Sequence, residues 1–276
     1  MQLEDVRALV AEDLRQVDQV IVERLASDVV LVNQISQYII GGGGKRLRPL
    51  SVLLAARACG YTGLHHVEAA AIIEFIHTAT LLHDDVVDGS EMRRGRDTAN
   101  HVFGNQASVL VGDYLYSRSF QMMVSLDDLR IQGVMADATN TIAMGEVLQL
   151  MNAHDPDTTE ERYFEVIYRK TAKLFEAGAQ MAAILARAPK PVEQAMIAYG
   201  RHLGMAFQLV DDMLDYRANR EELGKNLGDD LAEGKPTLPL IHALSHSSPG
   251  EVARIRAAIE AGGLDELEAI TRTIES

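Results

Sequence analysis

Apolar residues recur at helical spacing along almost the whole of this 276-residue chain, and no alternating strand pattern of useful length appears. The pattern predicts helices near residues 3–32, 32–40, 49–59, 67–88, 105–125, 128–151, 158–187 and 190–217, with further helices from Thr237 to the end. Turns rich in glycine, proline and aspartate separate these helices. Because no linker or shift in composition divides the chain, we expect one all-α domain over residues 1–276.

Two copies of an acidic pentad end two of the apolar helical stretches, at residues 84–88 and 211–215. On a helix, Asp84 and Asp88 lie one turn apart on the same face, as do Asp211 and Asp215. Clustered carboxylates on an apolar helix are unfavourable unless a cation neutralises them, and hard oxygen ligands suit Mg²⁺. One such pentad is more often a solvated helix end, but two of them favour metal ions around one diphosphate.

Basic groups lie close to the first pentad in the sequence. Lys45 and Arg48 stand at the start of a predicted helix, where free N–H groups and the helix dipole favour an anion. His77 precedes Asp84 by seven residues on nearly the same stripe, although a satisfied core histidine is an equally good interpretation. Arg93 and Arg94, in a segment expected to be an exposed loop, are within reach of the same phosphates, or else form a solvated charge run.

Polar groups near the second pentad are weaker candidates for binding a diphosphate. Lys170 and Thr171 lie inside an apolar helix, where a lysine either extends outward or points into a polar cavity. Gln208 shares a helix face with the second pentad, while Lys225 and Lys235 lie in a loop that contains glycine. For Asp229-Asp230, a capping or solvated role is favoured over a metal role.

The overall charge narrows the classes of function. Lys and Arg number 26 against 40 for Asp and Glu, which argues against nucleic-acid binding and against a basic membrane anchor. Cys59 is the only cysteine, so an intrachain disulfide is excluded and a reducing compartment is favoured. No signal peptide is evident, and no apolar run approaches the ~20 residues that span a bilayer. We therefore expect a cytoplasmic protein.

Taken together, these motifs resemble those of the trans-isoprenyl diphosphate synthases of the polyprenyl synthetase family, above all its bacterial octaprenyl-type members. The segments that carry the resemblance, in the family's order, are residues 41–49, 81–88 with Arg93-Arg94-Gly95, 111–115, 170–172, 207–212 and 234–239. The resemblance implies an antiparallel helix bundle around a deep central cavity, three Mg²⁺ ions and a homodimer.

The same resemblance implies a role for each site residue. It assigns Asp84, Asp88 and Asp211 to metal, and Lys45, Arg48, His77 and Arg94 to isopentenyl diphosphate. It assigns Arg93, Lys170, Thr171, Gln208, Lys225 and Lys235 to the allylic diphosphate. Catalysis would depend chiefly on Asp84, Asp88, Arg93, Arg94, Lys170 and Asp211. The implied reaction adds isopentenyl diphosphate repeatedly to a primer such as farnesyl diphosphate, for quinone side chains, with transient membrane contact when the product leaves.

Product length should depend on the cavity below the first pentad. Ala79 and Thr80, about one turn before Asp84, are small where a short-chain synthase is expected to carry bulky aromatics, so a long product is favoured. Met122, Met123 and Met135 are candidate floor residues, although ordinary core methionines are at least as good an interpretation.

Other interpretations stay open. A shorter-chain synthase, or a non-catalytic subunit of a heteromeric synthase, would share much of this sequence, although such a subunit should have lost its pentads. A terpene synthase or a head-to-head coupling enzyme would not need the isopentenyl diphosphate set. His83-Asp84 suggests a metal phosphohydrolase, but the second pentad supplies no histidine. Since the family is expected to continue with further helices, we expect the chain ending at Ser276 to lack the final C-terminal ones.

Overall fold

The structure is a computed structural model that describes residues 2–93, 95–217 and 227–275. Its helices are α1 Leu3–Ala8, α2 Ala11–Leu25, α3 Val30–Gly41, α4 Leu47–Ala58, α5 His65–Val87, α6 Ala99–Phe103, α7 Asn105–Ser125, α8 Leu129–Asn152, α9 Glu160–Ile167, α10 Lys173–Leu185, α11 Lys190–Arg217, α12 Asp229–Ala232, α13 Leu238–His246, α14 Pro249–Ala261 and α15 Leu267–Glu275. A π-helical turn covers Tyr168–Ala172, and strands β1 Met92–Arg93 and β2 Arg96–Asp97 pair antiparallel. The prediction of an all-α fold is confirmed.

The described chain divides into two compact units. The first comprises Met1–Asn140 and Lys173–His202, and the second comprises Thr141–Ala172 and Leu203–Ser276. Each unit has its own buried apolar residues, so each is described by itself.

Helix α5 is the centre of the first unit and packs against α2, α4, α7 and α10. Its side chains Ile72, Ile73 and Ile76 are fully buried. Helix α7 runs antiparallel to α5, because Ser108 Oγ donates to the Leu82 carbonyl while Ser125 Oγ donates to Glu68, each across 3.0 Å. Burial on several sides explains why the sequence of α5 is apolar over most of its length rather than along one stripe.

The second unit is built around α13, α14 and α15. Leu231, Leu240, Ile255, Ile259 and Ile270 form its main apolar cluster. Helix α14 begins with a capping box, in which Ser248 and Glu251 satisfy the first backbone N–H groups, and with Pro249 at a position where its missing N–H is not needed. A smaller cluster of Tyr163, Ile167 and Ile241 lies next to the polar groups described below.

The structure corrects several predicted elements. The single helix expected near 3–32 is broken at Leu9–Val10 and again between Leu25 and Val30. At the second break the Asn33 side chain bonds both the N–H and the carbonyl of Ser27, and this local turn replaces helical hydrogen bonds. The segment after the first pentad was expected to be a loop, but it forms the β1–β2 hairpin.

No helix in the described ranges combines the length and the apolar character needed to cross a membrane.

Candidate active site

The first pentad lies at the C-terminal end of α5, in the first unit. Asp85 is buried, whereas Asp84 and Asp88 are half-buried. Arg93, on β1, donates to Asp85 Oδ1 from Nε across 2.8 Å and from Nη2 across 2.6 Å. Burial raises the pKa of Asp85, Arg93 opposes that rise, and the charges of Asp84 and Asp88 add to it. The first pentad therefore brings three carboxylates together, and Arg93 binds the buried one.

The carboxylates of the first pentad suit a divalent cation. Among the described residues no three acidic, histidine or cysteine side chains converge on one point. Asp84 and Asp88 carry carboxylates one turn apart, and Asp85 is bound by Arg93. Mg²⁺ typically takes one or two carboxylates and completes its octahedron with water and phosphate oxygens. The donors present match that requirement.

Two of the predicted anion-binding groups meet in the first unit. Arg48 Nη1, on α4, donates to His77 Nε2, on α5, across 3.0 Å. The Arg48 guanidinium also lies over the Phe175 ring, 4.9 Å from its centroid. Lys45 is exposed and lies just before the N-cap of α4. Arg94, the fourth member of the predicted set, lies outside the described residues.

In the second unit, a cavity of about 70 Å³ is lined by several predicted residues, among them Lys170, Thr171, Gln208 and Lys235. Thr171 Oγ1 donates to Gln208 Oε1 across 2.8 Å, and Gln208 Nε2 donates to Asp212 Oδ1 across 2.7 Å. The Lys235 ammonium is paired with Glu233. Lys225 lies outside the described residues, so its predicted role stays a prediction.

Lys170 is held by two side chains that sequence reasoning missed. Its Nζ donates to Glu146 Oε2 across 2.5 Å and to Gln149 Oε1 across 2.7 Å, both on α8. Lys170 lies in the π-helical turn, not in the regular helix expected. A Cβ on Gly145 would lie 2.7 Å from the Lys170 backbone nitrogen, so only glycine permits this approach. Glu146 and Gln149 are polar residues one turn apart on α8, and this spacing is the sequence signal that could have indicated a shared partner.

The second pentad lies near the end of α11. Asp212 and Asp215 are buried, and Asp211 is half-buried. Asp215 Oδ2 accepts the backbone N–H of Asp230 at 3.1 Å, at the start of α12. Burial and the Asp230 charge raise the pKa of Asp212 to about 7, while hydrogen bonds from Tyr163 and Gln208 oppose the rise. The second pentad therefore also places several carboxylates close together.

Comparison with known proteins now identifies the family. Residues 29–275 match the family model described as polyprenyl synthetase. The chain belongs to the polyprenyl synthetase family. This family member is 61% identical over 262 residues to the octaprenyl diphosphate synthase of Escherichia coli (strain K12), covering 95% of this chain and 81% of that protein. It is 56% identical over 274 residues to the octaprenyl diphosphate synthase of Haemophilus influenzae, covering 98% of this chain and 83% of that one.

Solved structures agree with this polyprenyl synthetase assignment. The polyprenyl synthase of Caulobacter crescentus, complexed with calcium and isoprenyl diphosphate, matches with a TM-score of 0.96 at 42% identity, covering 99% of this chain and 84% of that one. A decaprenyl diphosphate synthase from Rhodobacter capsulatus matches with a TM-score of 0.91 at 46% identity, covering 99% and 85%. The predicted family and the predicted prenyltransferase class are confirmed, and a divalent metal cofactor is supported.

The residues expected to govern product length in this polyprenyl synthetase are all in the first unit. Ala79, Met122, Met123 and Met135 are buried, and Thr80 is half-buried. Ser125 of α7 bonds Glu68 of α5, so Met122, three residues earlier on α7, lies beside the early part of α5. At 1.5 Å per residue, that level is roughly 20 Å from Asp84 along the axis of α5. The influence of these alanine, threonine and methionine side chains on product length stays a prediction.

Proposed function

We propose that this chain is a long-chain all-trans polyprenyl diphosphate synthase with an octaprenyl-like product. The observation that carries the proposal is the contact of Arg48 with His77, at 3.0 Å, in the same unit as the first pentad. With Lys45 before the start of the helix that carries Arg48, these residues suit isopentenyl diphosphate, which a terpene synthase or a head-to-head coupling enzyme does not use. The identity of 61% to an octaprenyl diphosphate synthase agrees with the long product.

In this proposal each diphosphate has its own residues. Lys45, Arg48, His77 and Arg94 hold isopentenyl diphosphate. Arg93, Lys170, Thr171, Gln208, Lys225 and Lys235 hold the allylic diphosphate. Multiple cationic donors around a diphosphate are effective because each charge-assisted hydrogen bond is about twice as strong as a neutral one.

Asp84, Asp88 and Asp211 are proposed to hold Mg²⁺, three ions in all. When bound, these ions neutralise the diphosphate oxygens as negative charge develops on them. The carboxylates therefore act by binding and orientation, and no side chain has to act as a nucleophile. Fixed cationic groups such as Lys170, in place before the reaction, stabilise the leaving group without reorganisation.

The bond changes are those of a condensation. The allylic carbon–oxygen bond breaks, and diphosphate leaves with the electron pair. The double bond of isopentenyl diphosphate then attacks the allylic carbon and forms the new carbon–carbon bond. Loss of a proton from the neighbouring carbon restores a double bond, and the released diphosphate is a suitable base. A homodimer, a cytoplasmic location and transient membrane contact during product release are part of the proposal.

The test is incubation of the purified chain alone with isopentenyl diphosphate, farnesyl diphosphate and Mg²⁺, followed by chromatographic sizing of the lipid products. We expect long polyprenyl products that vanish when EDTA is added. Asp84→Asn should abolish them, whereas Asp28→Asn, an exposed acid in a turn, should not. No product from the unmodified chain would overturn the proposal, and C15 to C20 products would favour the shorter-chain alternative.

A further inference from the structure

Arg46 lies between the two cations of the glycine-rich segment, but its guanidinium pairs with acidic groups of the protein. It pairs with Glu74 of α5, and its Nε lies 3.3 Å from Asp18 Oδ1 of α2. The Arg46 and Glu74 side chains are only 16% and 8% exposed. An arginine neutralised and enclosed in this way is not available to a diphosphate.

The backbone at Arg46 is also unusual. It has φ 48° and ψ 35°, the left-handed conformation, although it is not glycine, and it is the N-cap of α4. Left-handed backbone at a residue with a Cβ is unfavourable and persists only where the surroundings enforce it. The enclosed pair with Glu74 accompanies this conformation.

Lys45 and then Arg46 follow four consecutive glycines, Gly41 to Gly44. Gly41 ends α3 and Gly42 is its C-cap, so Gly43 and Gly44 link that helix to Lys45. Glycine has the widest choice of backbone conformations, so this link restricts the position of Lys45 less than other residues would. Lys45 comes directly after the run, and its carbonyl accepts a hydrogen bond from Arg7 at 2.8 Å. Arg46 therefore supplies a fixed point on the C-terminal side of Lys45.

The contact between Arg46 and Glu74 also affects the position of Arg48. Glu74 and His77 are three residues apart and therefore lie on one face of α5. Glu74 holds Arg46 while His77 contacts Arg48, so two neighbouring side chains of α5 hold the first turn of α4. Loss of the contact between Arg46 and Glu74 would remove one of these two contacts between α5 and the start of α4.

We infer that Arg46 and Glu74 are positioning residues that hold Lys45 and Arg48 in place for isopentenyl diphosphate. The inference rests on the proposed function, which gives Lys45 and Arg48 that ligand. It predicts an effect on one substrate only, because the residues proposed for the allylic diphosphate lie elsewhere in the sequence.

The kinetic test compares Arg46→Met with the unmodified chain. We expect the KM for isopentenyl diphosphate to rise about tenfold or more, with the KM for farnesyl diphosphate and kcat nearly unchanged, since lost ground-state binding raises KM alone. If Arg46→Met does not fold, Glu74→Gln, which keeps the shape of the side chain, should likewise raise the KM for isopentenyl diphosphate and leave the KM for farnesyl diphosphate and kcat nearly unchanged. Arg46→Lys, which keeps the charge, should recover most of the affinity.

The matched control is Arg24→Met. Arg24 Nη2 lies 2.7 Å from Glu68 Oε1, so this pair also joins α2 to α5. In the described part of the chain, neither residue contacts Arg46 or Glu74 in an ion pair. Arg24→Met should leave both KM values unchanged. An unchanged KM for isopentenyl diphosphate in Arg46→Met and Glu74→Gln would overturn the inference. So would a fall in kcat alone, or an equal rise in both KM values, since these indicate a general structural effect.

A second measurement separates this inference from the proposed function. Without substrates, amide hydrogen exchange over residues 41–48 should be faster in Arg46→Met and unchanged in Arg24→Met. If the unmodified chain makes no product, the proposed function fails, yet faster exchange would still establish the anchor. If the chain is active and exchange is unchanged, the anchor is overturned.

Discussion

The hydroxyl of Tyr163 donates a hydrogen bond to Asp212 Oδ2 across 2.5 Å, and both residues are buried. Gln208 donates to the other oxygen, so the protein occupies both oxygens of this carboxylate. Asp85 likewise accepts two hydrogen bonds from Arg93 in the first pentad. In each pentad the second aspartate is bound by a protein donor, and the first aspartate, which is half-buried, is the proposed metal ligand.

Removal of the Tyr163 hydroxyl should weaken catalysis without abolishing the fold. In Tyr163→Phe, the buried Asp212 loses one donor, and an unsatisfied buried group costs about 1–3 kcal/mol. We expect a lower melting temperature and a clear fall in kcat. Tyr199→Phe, at an exposed tyrosine, should change neither quantity. Unaltered stability and turnover in Tyr163→Phe would contradict the assigned role.

The two neighbouring aspartates of the first pentad should respond differently. Asp84→Asn removes a proposed metal ligand, and a loss of several kcal/mol of transition-state stabilisation corresponds to about a thousandfold in kcat. Asp85→Asn removes the partner of Arg93 instead, so we expect a smaller fall in kcat and no change in the Mg²⁺ concentration required. Titration of activity with Mg²⁺ distinguishes them. Equal Mg²⁺ requirements in both variants would contradict the division of roles.

Gly145 offers a direct test of the close approach between α8 and the π-helical turn. In Gly145→Ala, the new Cβ would lie 2.8 Å from Arg169 Cβ as well as close to the Lys170 backbone. Such overpacking typically costs about 1–3 kcal/mol, and it should displace Lys170 and lower kcat. Chemical denaturation and turnover assays measure the two effects.

Gly133, on the same helix, is the matched control, because a Cβ there meets no atom within 4 Å. Gly133→Ala should be neutral or stabilise the helix by up to about 1 kcal/mol through helix propensity. If both alanine variants behave alike, the close approach at Gly145 has no energetic consequence.

A bulky residue at position 79 should shorten the product. Ala79 is fully buried one turn before the first pentad. If the growing chain occupies a cavity below that pentad, the ring in Ala79→Tyr would narrow it. We expect the variant to make shorter polyprenyl products while it still incorporates isopentenyl diphosphate. Ala136→Tyr, at an exposed position of α8, should leave the distribution unchanged. An identical product distribution in Ala79→Tyr would contradict the cavity model.

Several features follow from the sequence because they depend on local pattern. The long helices α5, α7, α8 and α11 lie within about two residues of their predicted bounds, since apolar periodicity reports burial directly. The motifs also predicted the family and the enzyme class, and both are confirmed. The binding role of each site residue stays a prediction.

Other features depend on contacts between distant segments and have no local signal. The π-helical turn at Lys170 accompanies the approach of Gly145, about 25 residues earlier in the chain. The left-handed backbone of Arg46 accompanies its pairing with Glu74, on another helix, and occurs where sequence alone favours glycine. The break near Ser27 depends on one asparagine side chain that sequence periodicity does not report.

The pairing of Lys170 with Glu146 has a consequence for the affinity of a bound anion. An anion that reaches this ammonium group meets a positive charge that Glu146 already partly offsets. The net attraction is therefore smaller than an ammonium group far from any carboxylate would provide, so Glu146 limits how tightly a product diphosphate is held there.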